Sequence, residues 1–536
     1  MTIDRRGFLG YAALGSALAL AKPLSAVAQS APSTNPELEE ITIGELQDAM
    51  TSGRWTSRAI AERYLARIDA IDKHGPMVNA IIELNPEALA IADAMDRERK
   101  AGHVRGPLHG IPVVIKDNID TADRMATSAG SLALAENHAA RDAFVVSRLR
   151  EAGAVLLGKT NLSEWANFRS THSTSGWSGR GGLTKNPYVL DRNACGSSSG
   201  TGTAIAANLA AVGIGTETDG SVVCPSSASG LVGIKPTLGL ISRAGIIPIA
   251  HSQDTSGPMA RTVRDAAILL SILTGADERD PVTVSSRTKG HADYTRFLDA
   301  EGLKGARIGV ARQYFGFNDA TDKVMKDAIA LIKSLGATIV DPANIATNGK
   351  FDATENDVLQ YEFKTDINKY LANAPASVKS RTLADLIRFN EEHRAEEMPY
   401  FGQEIFEQSE KRGPLSEKKY VAALAKNHRL ARTEGIDATV AKHKVDAIIA
   451  PTGGPVWATD LVNGDHFTGG YSSASAVAGY PHVTVPAGLV FGLPVGLSFF
   501  AGAWSEPTLI KFAYAFEQAS RARQKPRFLP TAGLSS

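Results

Sequence analysis

An α/β fold, with one large mixed β-sheet covered by helices on both faces, is what this 536-residue sequence predicts. Three observations predict it. Short apolar runs of strand length recur along the chain. Segments of helical periodicity lie between them. The runs are apolar throughout rather than alternating, which marks strands covered on both sides.

The first residues are an address. Asp4-Arg5-Arg6-Gly7-Phe8-Leu9 is a twin-arginine pattern, the apolar run 8–20 is too short to span a bilayer, and Ala26-Val27-Ala28 offers a cleavage site. Residues 1–28 are therefore read as a signal peptide, which implies export by the twin-arginine machinery and a periplasmic or secreted protein. No Cys follows the apolar run, so no lipid anchor and no stable membrane anchor are expected. The main domain is placed at 40–525. Its first helix shows in the stripe Ile60, Tyr64, Leu65, Ile68 and Ile71, stopped by Gly75; Asn85-Pro86 opens a second, running to about Gly102. Strands follow at 111–115, 154–157, 212–215, 232–234, 307–311, 337–340, 447–450, 482–486 and 495–500, with helices at 322–335 and 507–523. Residues 276–300 and 342–357 are polar and strand-poor and read as surface excursions, and 464–473 reads as a rim loop.

Composition excludes several functions. Lys plus Arg equals Asp plus Glu at 57 each, so no basic field exists to hold nucleic acid. No CxxC or HExxH motif supports a metal. Glu391, Glu392, His393, Glu396 and Glu397 look like ligands, but they continue the stripe Leu383, Leu386, Ile387, Phe389 and read as a solvated helix face. No cofactor is implied. The two cysteines, Cys195 and Cys224, are expected as free, buried thiols, because a twin-arginine substrate folds in a reducing cytosol.

Glycines crowd the stretch 176–257, and the chemistry is sought there. Gly110-Ile111-Pro112-Val113-Val114-Ile115-Lys116 ends a buried strand on a lysine, where desolvation favours the neutral base. Cys195-Gly196-Ser197-Ser198-Ser199-Gly200 opens a helix whose N-terminal N–H groups suit developing negative charge. Gly215-Thr216-Glu217-Thr218-Asp219-Gly220-Ser221 runs from a strand into a turn tipped by a serine. Each piece alone reads equally as an ordinary strand end or turn.

Together, with 81 residues from Lys116 to Ser197 and 24 from Ser197 to Ser221, they resemble the amidase signature family. Gly230-Leu231-Val232-Gly233-Ile234-Lys235-Pro236-Thr237, Asp254-Thr255-Ser256-Gly257-Pro258, Ala478-Gly479-Tyr480-Pro481 and Gly492-Leu493-Pro494-Val495 extend the resemblance. It implies an amidase signature fold and a serine-type amidase. Ser221 would be the nucleophile, Ser197 a bridging serine on a cis peptide bond, and Lys116 the base. The N–H groups of Thr218, Asp219, Gly220 and Ser221 would form the oxyanion hole. The chain departs from the family's commonest pattern at Ala194, Cys195, Glu217, Asp219 and Val223. This variant, with Tyr361-Glu362-Phe363-Lys364 and Phe401-Gly402-Gln403-Glu404, is similar to the branch of bacterial peptide amidases. That branch implies C-terminal peptide amides as substrates; aryl amides, amino-acid amides and oligoamides stay open.

Rival readings rest on specific residues. Gly196-Ser197-Ser198-Ser199-Gly200 fits a nucleophile elbow centred on Ser198, but 186–193 is no strand. His172 and His251 read as polar wall residues rather than bases. A binding protein on an inactive amidase scaffold would be expected to lack the nucleophile or the base. The amidase component of a tRNA-dependent amidotransferase would need cytoplasmic partners.

Overall fold

Residues 36–533 are described by a computed structural model, so the expected signal segment 1–28 lies outside the described residues. Among the described residues thirteen strands occur: β1 (Ile81–Leu84), β2 (Pro112–Lys116), β3 (Val155–Thr160), β4 (Trp177–Ser178), β5 (Gly182–Leu183), β6 (Val212–Glu217), β7 (Val232–Lys235), β8 (Thr255–Ala260), β9 (Arg307–Val310), β10 (Thr338–Val340), β11 (Ala447–Pro451), β12 (His482–Val490) and β13 (Leu493–Phe500). Eleven of them form one mixed sheet in the order β1-β3-β2-β6-β8-β7-β12-β13-β11-β9-β10, and β4 and β5 make a separate hairpin. All nine expected strands are present. Val, Ile and Leu fill them because a strand buried on both faces needs branched apolar side chains on each side, and β2, β3, β6, β7, β8, β11 and β13 are buried at every residue.

Parallel pairing of β3, β2 and β6 matters most for function. Val113 lies beside Val212 and Ile115 beside Ile214, so Lys116 and Thr216 emerge together at one end of the sheet. The helix Ser199–Ala206 lies directly against this end. Its residues, small except for Ile205, are entirely buried, and a Cβ on Gly200 would come within 2.4 Å of the Ala80 and Asn161 carbonyl oxygens. Glycine there lets backbone meet backbone.

A second apolar cluster flanks the same end. Trp165, Phe168, Phe363, Ile367, Leu371, Leu386 and Phe406 join the helices Asp352–Ala372, Leu383–Glu392 and Glu404–Glu410 to the loops after β2 and β3. Here the sequence reading needs correction, since 352–357 is the first turn and a half of a long helix and not surface loop. Its polar look arises because Asp352 and Asn356 are exposed on this turn while Glu355 is buried and accepts from Gln253 Nε2. Glu397 is a second correction. Glu391, Glu392, His393 and Glu396 are exposed, but Glu397 is buried and accepts hydrogen bonds from Ser131 Oγ at 3.0 Å and Leu132 N–H at 2.6 Å. The third concerns the cysteines. Cys195 and Cys224 are joined in a disulfide with Cα atoms 6.0 Å apart. Folding places their two segments side by side, and it is the expectation of free thiols that fails. Among the described residues no helix is long and apolar enough to cross a membrane.

Candidate active site

Lys116 is fully buried at the tip of β2. Its Nζ lies 2.7 Å from Ser197 Oγ, 2.9 Å from Thr216 Oγ1 and 3.2 Å from the Thr216 carbonyl oxygen. Asn118 Nδ2 donates to Thr216 Oγ1 at 3.0 Å and fixes that hydroxyl. Burial pulls the Lys116 amine down to about 7, although the carboxyls of Asp254 and Glu217 oppose the shift.

Ser197 is buried, and the Gly196–Ser197 peptide bond is cis. Its carbonyl accepts from Ser163 N–H at 3.1 Å. Ser198 N–H donates to the Ser221 carbonyl at 3.2 Å, tying the two serine segments together; the disulfide between Cys195 and Cys224 ties them again. Beyond β6, Glu217 accepts the N–H groups of Val222 and Val223 at 2.8 and 3.0 Å and shapes the turn. Gly220 sits at φ 78°, where a side chain would be strained. The N–H groups of Thr218, Asp219, Gly220 and Ser221 take no part in the hydrogen bonds of this turn among the described residues. A concave run of N–H donors next to a serine suits an anion.

The structure thus sets Lys116 against Ser197 and ties the Ser197 segment to that of Ser221 through a backbone hydrogen bond and the disulfide. It also adds residues the sequence reading missed. Thr216 holds the lysine, and Asp254 accepts from Thr218 Oγ1 at 2.6 Å. Gln253 Nε2 donates to the Thr218 carbonyl at 3.2 Å and to Glu355 Oε1 at 2.9 Å. Thr216 and Asp254 sit inside motifs already singled out and were findable there; Glu355 had no sequence signal.

A cavity of about 680 Å³ adjoins the site. It touches the turn through Thr216, Glu217 and Thr218 and is lined on another side by Ile249, His251 and Tyr370, while Ser221 lies outside its lining. His251 sits on this wall, with Nδ1 2.7 Å from Asp366 and Nε2 3.4 Å from Glu362. These three could gather around a cation, but they already satisfy one another, and Glu362 also accepts from Tyr420 OH at 2.8 Å and Ser252 N–H at 2.8 Å. His172 is exposed beside Glu404. Ser198, the centre of the elbow reading, is bound on both sides to β6: its Oγ donates to the Thr216 carbonyl at 3.1 Å and accepts from Thr216 N–H at 3.2 Å. His482 is buried in β12, 2.6 Å from Ser498 Oγ.

Comparison with known proteins gives a consistent picture. A family model described as Amidase matches residues 59–510. A "probable amidase" of Arabidopsis thaliana is 42% identical over 518 residues, covering 95% of this chain and 96% of that protein. The structure of native peptide amidase from Stenotrophomonas maltophilia superposes with a TM-score of 0.86 at 49% identity, covering 91% of this chain and 99% of that one. The crystal structure of an amidase family protein from Bacillus anthracis superposes with a TM-score of 0.84 at 36% identity, over 91% of this chain and 93% of that one.

Proposed function

The chain belongs to the amidase signature family and hydrolyses carboxamides, and from that premise we propose that it opens C-terminal peptide amides with release of ammonia. Ser221 Oγ attacks the amide carbon while its proton passes through Ser197 Oγ to neutral Lys116 Nζ. The tetrahedral oxyanion is received by the N–H groups of 218–221. Lys116 and Ser197 return the proton to the departing nitrogen, ammonia leaves, and water then attacks the acyl-enzyme by the same route. The observation that carries this reading is Lys116 Nζ itself: fully buried, held by hydroxyl and carbonyl oxygens, and 2.7 Å from Ser197 Oγ. A lysine so placed is a base near neutral pH.

The likeness to the Stenotrophomonas peptide amidase supports the substrate class. So does chemistry, because an unsubstituted amide leaves as ammonia and needs little room beyond Ser221. The adjoining cavity, next to Thr218, offers space for the acyl-side peptide. Ammonia release across peptide amides, aryl amides and amino-acid amides tests the assignment. Preference for peptide amides without cleavage of internal peptide bonds is the expected result; preference for bulky aryl amines would refute it. The same reading includes twin-arginine export and work outside the cytoplasm, motivated by Arg5-Arg6 and Ala26-Val27-Ala28. Replacing both arginines by lysine should hold the precursor in the cytoplasm, and an unchanged exported yield would refute export by that route.

A further inference from the structure

The rim loop expected at 464–473 reaches inward through one side chain. Val462, His466 and Phe467 are exposed along it, but the Asp465 carboxylate is directed at four donors. Its Oδ1 accepts from Ser175 N–H at 2.9 Å, Trp457 Nε1 at 3.3 Å and Asn193 Nδ2 at 3.4 Å, and its Oδ2 accepts from Ser175 Oγ at 2.5 Å. Among the described residues, the other hydrogen bond from 460–468 to the rest of the chain is that of Thr174 Oγ1 to the Asp460 carbonyl, at 2.9 Å. One carboxylate therefore seats the loop.

The donors lead to Ser197. Ser175 and Asn193 are both buried. Asn193 Oδ1 accepts from Cys195 N–H at 2.7 Å, which fixes the amide so that Nδ2 faces Asp465 and the Ser175 carbonyl, the latter at 3.0 Å. Asn193 N–H donates to the Trp457 carbonyl at 2.9 Å and adds a backbone tie to the stem of the loop. Ser175 in turn stands against Gly196, where a Cβ would come within 2.9 Å of Ser175 Oγ and 2.2 Å of Ser163 Oγ. Ser163 completes the cradle: its N–H donates to the Ser197 carbonyl at 3.1 Å, and its Oγ accepts from Gly176 N–H at 2.9 Å.

We propose that Asp465 is a positioning residue for Ser197: by seating the loop 460–468 on Ser175 and Asn193, it sets the backbone that aims Ser197 Oγ at Lys116 Nζ. A carboxylate suits this task because it accepts several bonds at once, and three of its partners are N–H groups that can only donate. Without it, Ser175 Oγ and the Asn193 amide lose a fixed partner, and the cradle around Gly196 loosens. Proton relay depends on the 2.7 Å approach of Ser197 Oγ to Lys116 Nζ, so a small displacement there slows turnover. The inference rests on the reading of Ser197 as the relay.

The test is a double-mutant cycle on kcat and KM for a peptide amide, combining Asp465→Ala with Ser197→Ala. In the wild-type background D465A should lower kcat about tenfold and change KM less than about twofold, because the loop acts on the relay and not on substrate affinity. D465N keeps an oxygen for the N–H donors and should hold kcat to within about threefold. His466→Ala on the same loop, whose ring bonds Asp460 at 2.9 Å, should leave both constants unchanged. In the S197A background D465A should cost less than about twofold, since the group it positions is already gone. An equal tenfold loss in both backgrounds overturns the proposal, as does a D465A enzyme with wild-type kcat. Should D465A not fold, Ser175→Ala removes the bond to Oδ2 alone and should show the same non-additivity with S197A; additivity there overturns the proposal equally. Failure of the relay reading looks different. S197A would then turn over like the wild type and the role of Asp465 would fall with it, whereas a slow S197A enzyme in which D465A still costs tenfold removes the role of Asp465 alone.

Discussion

The two walls of the site are built on different principles. On the sheet side, 196–203 is entirely glycine, serine and threonine and 212–221 is mostly so, and their polar groups are satisfied largely by backbone. Ser198 is sewn to β6, Ser163 to Ser197, and Gly200 admits no Cβ. On the helical side, large rings interlock: Phe406 meets Trp165 at 5.6 Å and Phe363 at 5.1 Å between centroids. Arg169 is buried there against Glu164 at 2.8 Å, and its guanidinium lies over the Phe401 ring. Backbone contacts fix reacting atoms to fractions of an ångström, whereas side-chain packing can be remade with other side chains of similar volume. The difference teaches that the two walls should tolerate substitution differently.

Breaking the sheet side should abolish chemistry without unfolding the protein. Ser221→Ala is expected to lower amide turnover by at least about 10⁴-fold, since no other group forms the acyl-enzyme. Lys116→Ala should cost about 10³-fold on an amide and distinctly less on a matched ester, whose alkoxide leaves with less need of a proton. Ser197→Ala should fall between the wild type and Lys116→Ala, because water partly replaces its relay. Steady-state kinetics on paired amide and ester substrates check all three. Loss of activity in His172→Ala or His251→Ala, with Lys116→Ala nearly normal, would reverse the assignment of the two walls.

The pH dependence sharpens the same contrast. In the proposed mechanism Lys116 acts when neutral, and burial brings its amine to about 7. Activity should therefore be present above that value and fall about tenfold per pH unit below it. Its midpoint should stay in place in a flank variant such as Phe406→Ala. That variant is expected to lose about 3–4 kcal/mol of stability, because a buried ring is removed from a packed cluster. Its kcat should hold to within about tenfold while KM rises. A large fall in kcat with unchanged melting temperature would show that the flank takes part in the chemistry.

The smallest expected effect concerns the disulfide. Replacing both Cys195 and Cys224 by serine should cost about 3.6 kcal/mol, as for release of a loop of this length from a cross-link. Thermal melting with and without reductant measures it. A reductant-insensitive wild type with two titratable thiols would restore the expectation of free cysteines.

Much of the fold could be read along the chain. Nine apolar runs marked nine strands, and the Gly/Ser-rich turns marked the site. Two strands of the main sheet escaped. β1 is a partly exposed edge strand carrying Glu83, and β8 carries Ser256, Gly257 and Pro258 through the middle of the sheet. Pro258 pairs with Ile214 on β6 but lies just past the rungs with β7, which use Met259 and Ala260. A proline without an N–H is tolerated where the ladder ends.

What the sequence determined by itself is local: which segments are apolar, where turns need glycine, and that Lys116, Ser197 and Ser221 each stand at the edge of such a segment. Which lysine meets a serine was settled in three dimensions. Lys116, Lys159 and Lys235 are all fully buried at strand ends. Yet Lys159 reaches the Ile119 carbonyl and Thr127 Oγ1, and Lys235 the Pro236 carbonyl, while Lys116 reaches Ser197 Oγ. The joining of the cysteines was settled the same way. Periodicity and turn chemistry act between neighbours in the chain, whereas the state of a buried charge or thiol depends on atoms brought within a few ångströms from far away in sequence.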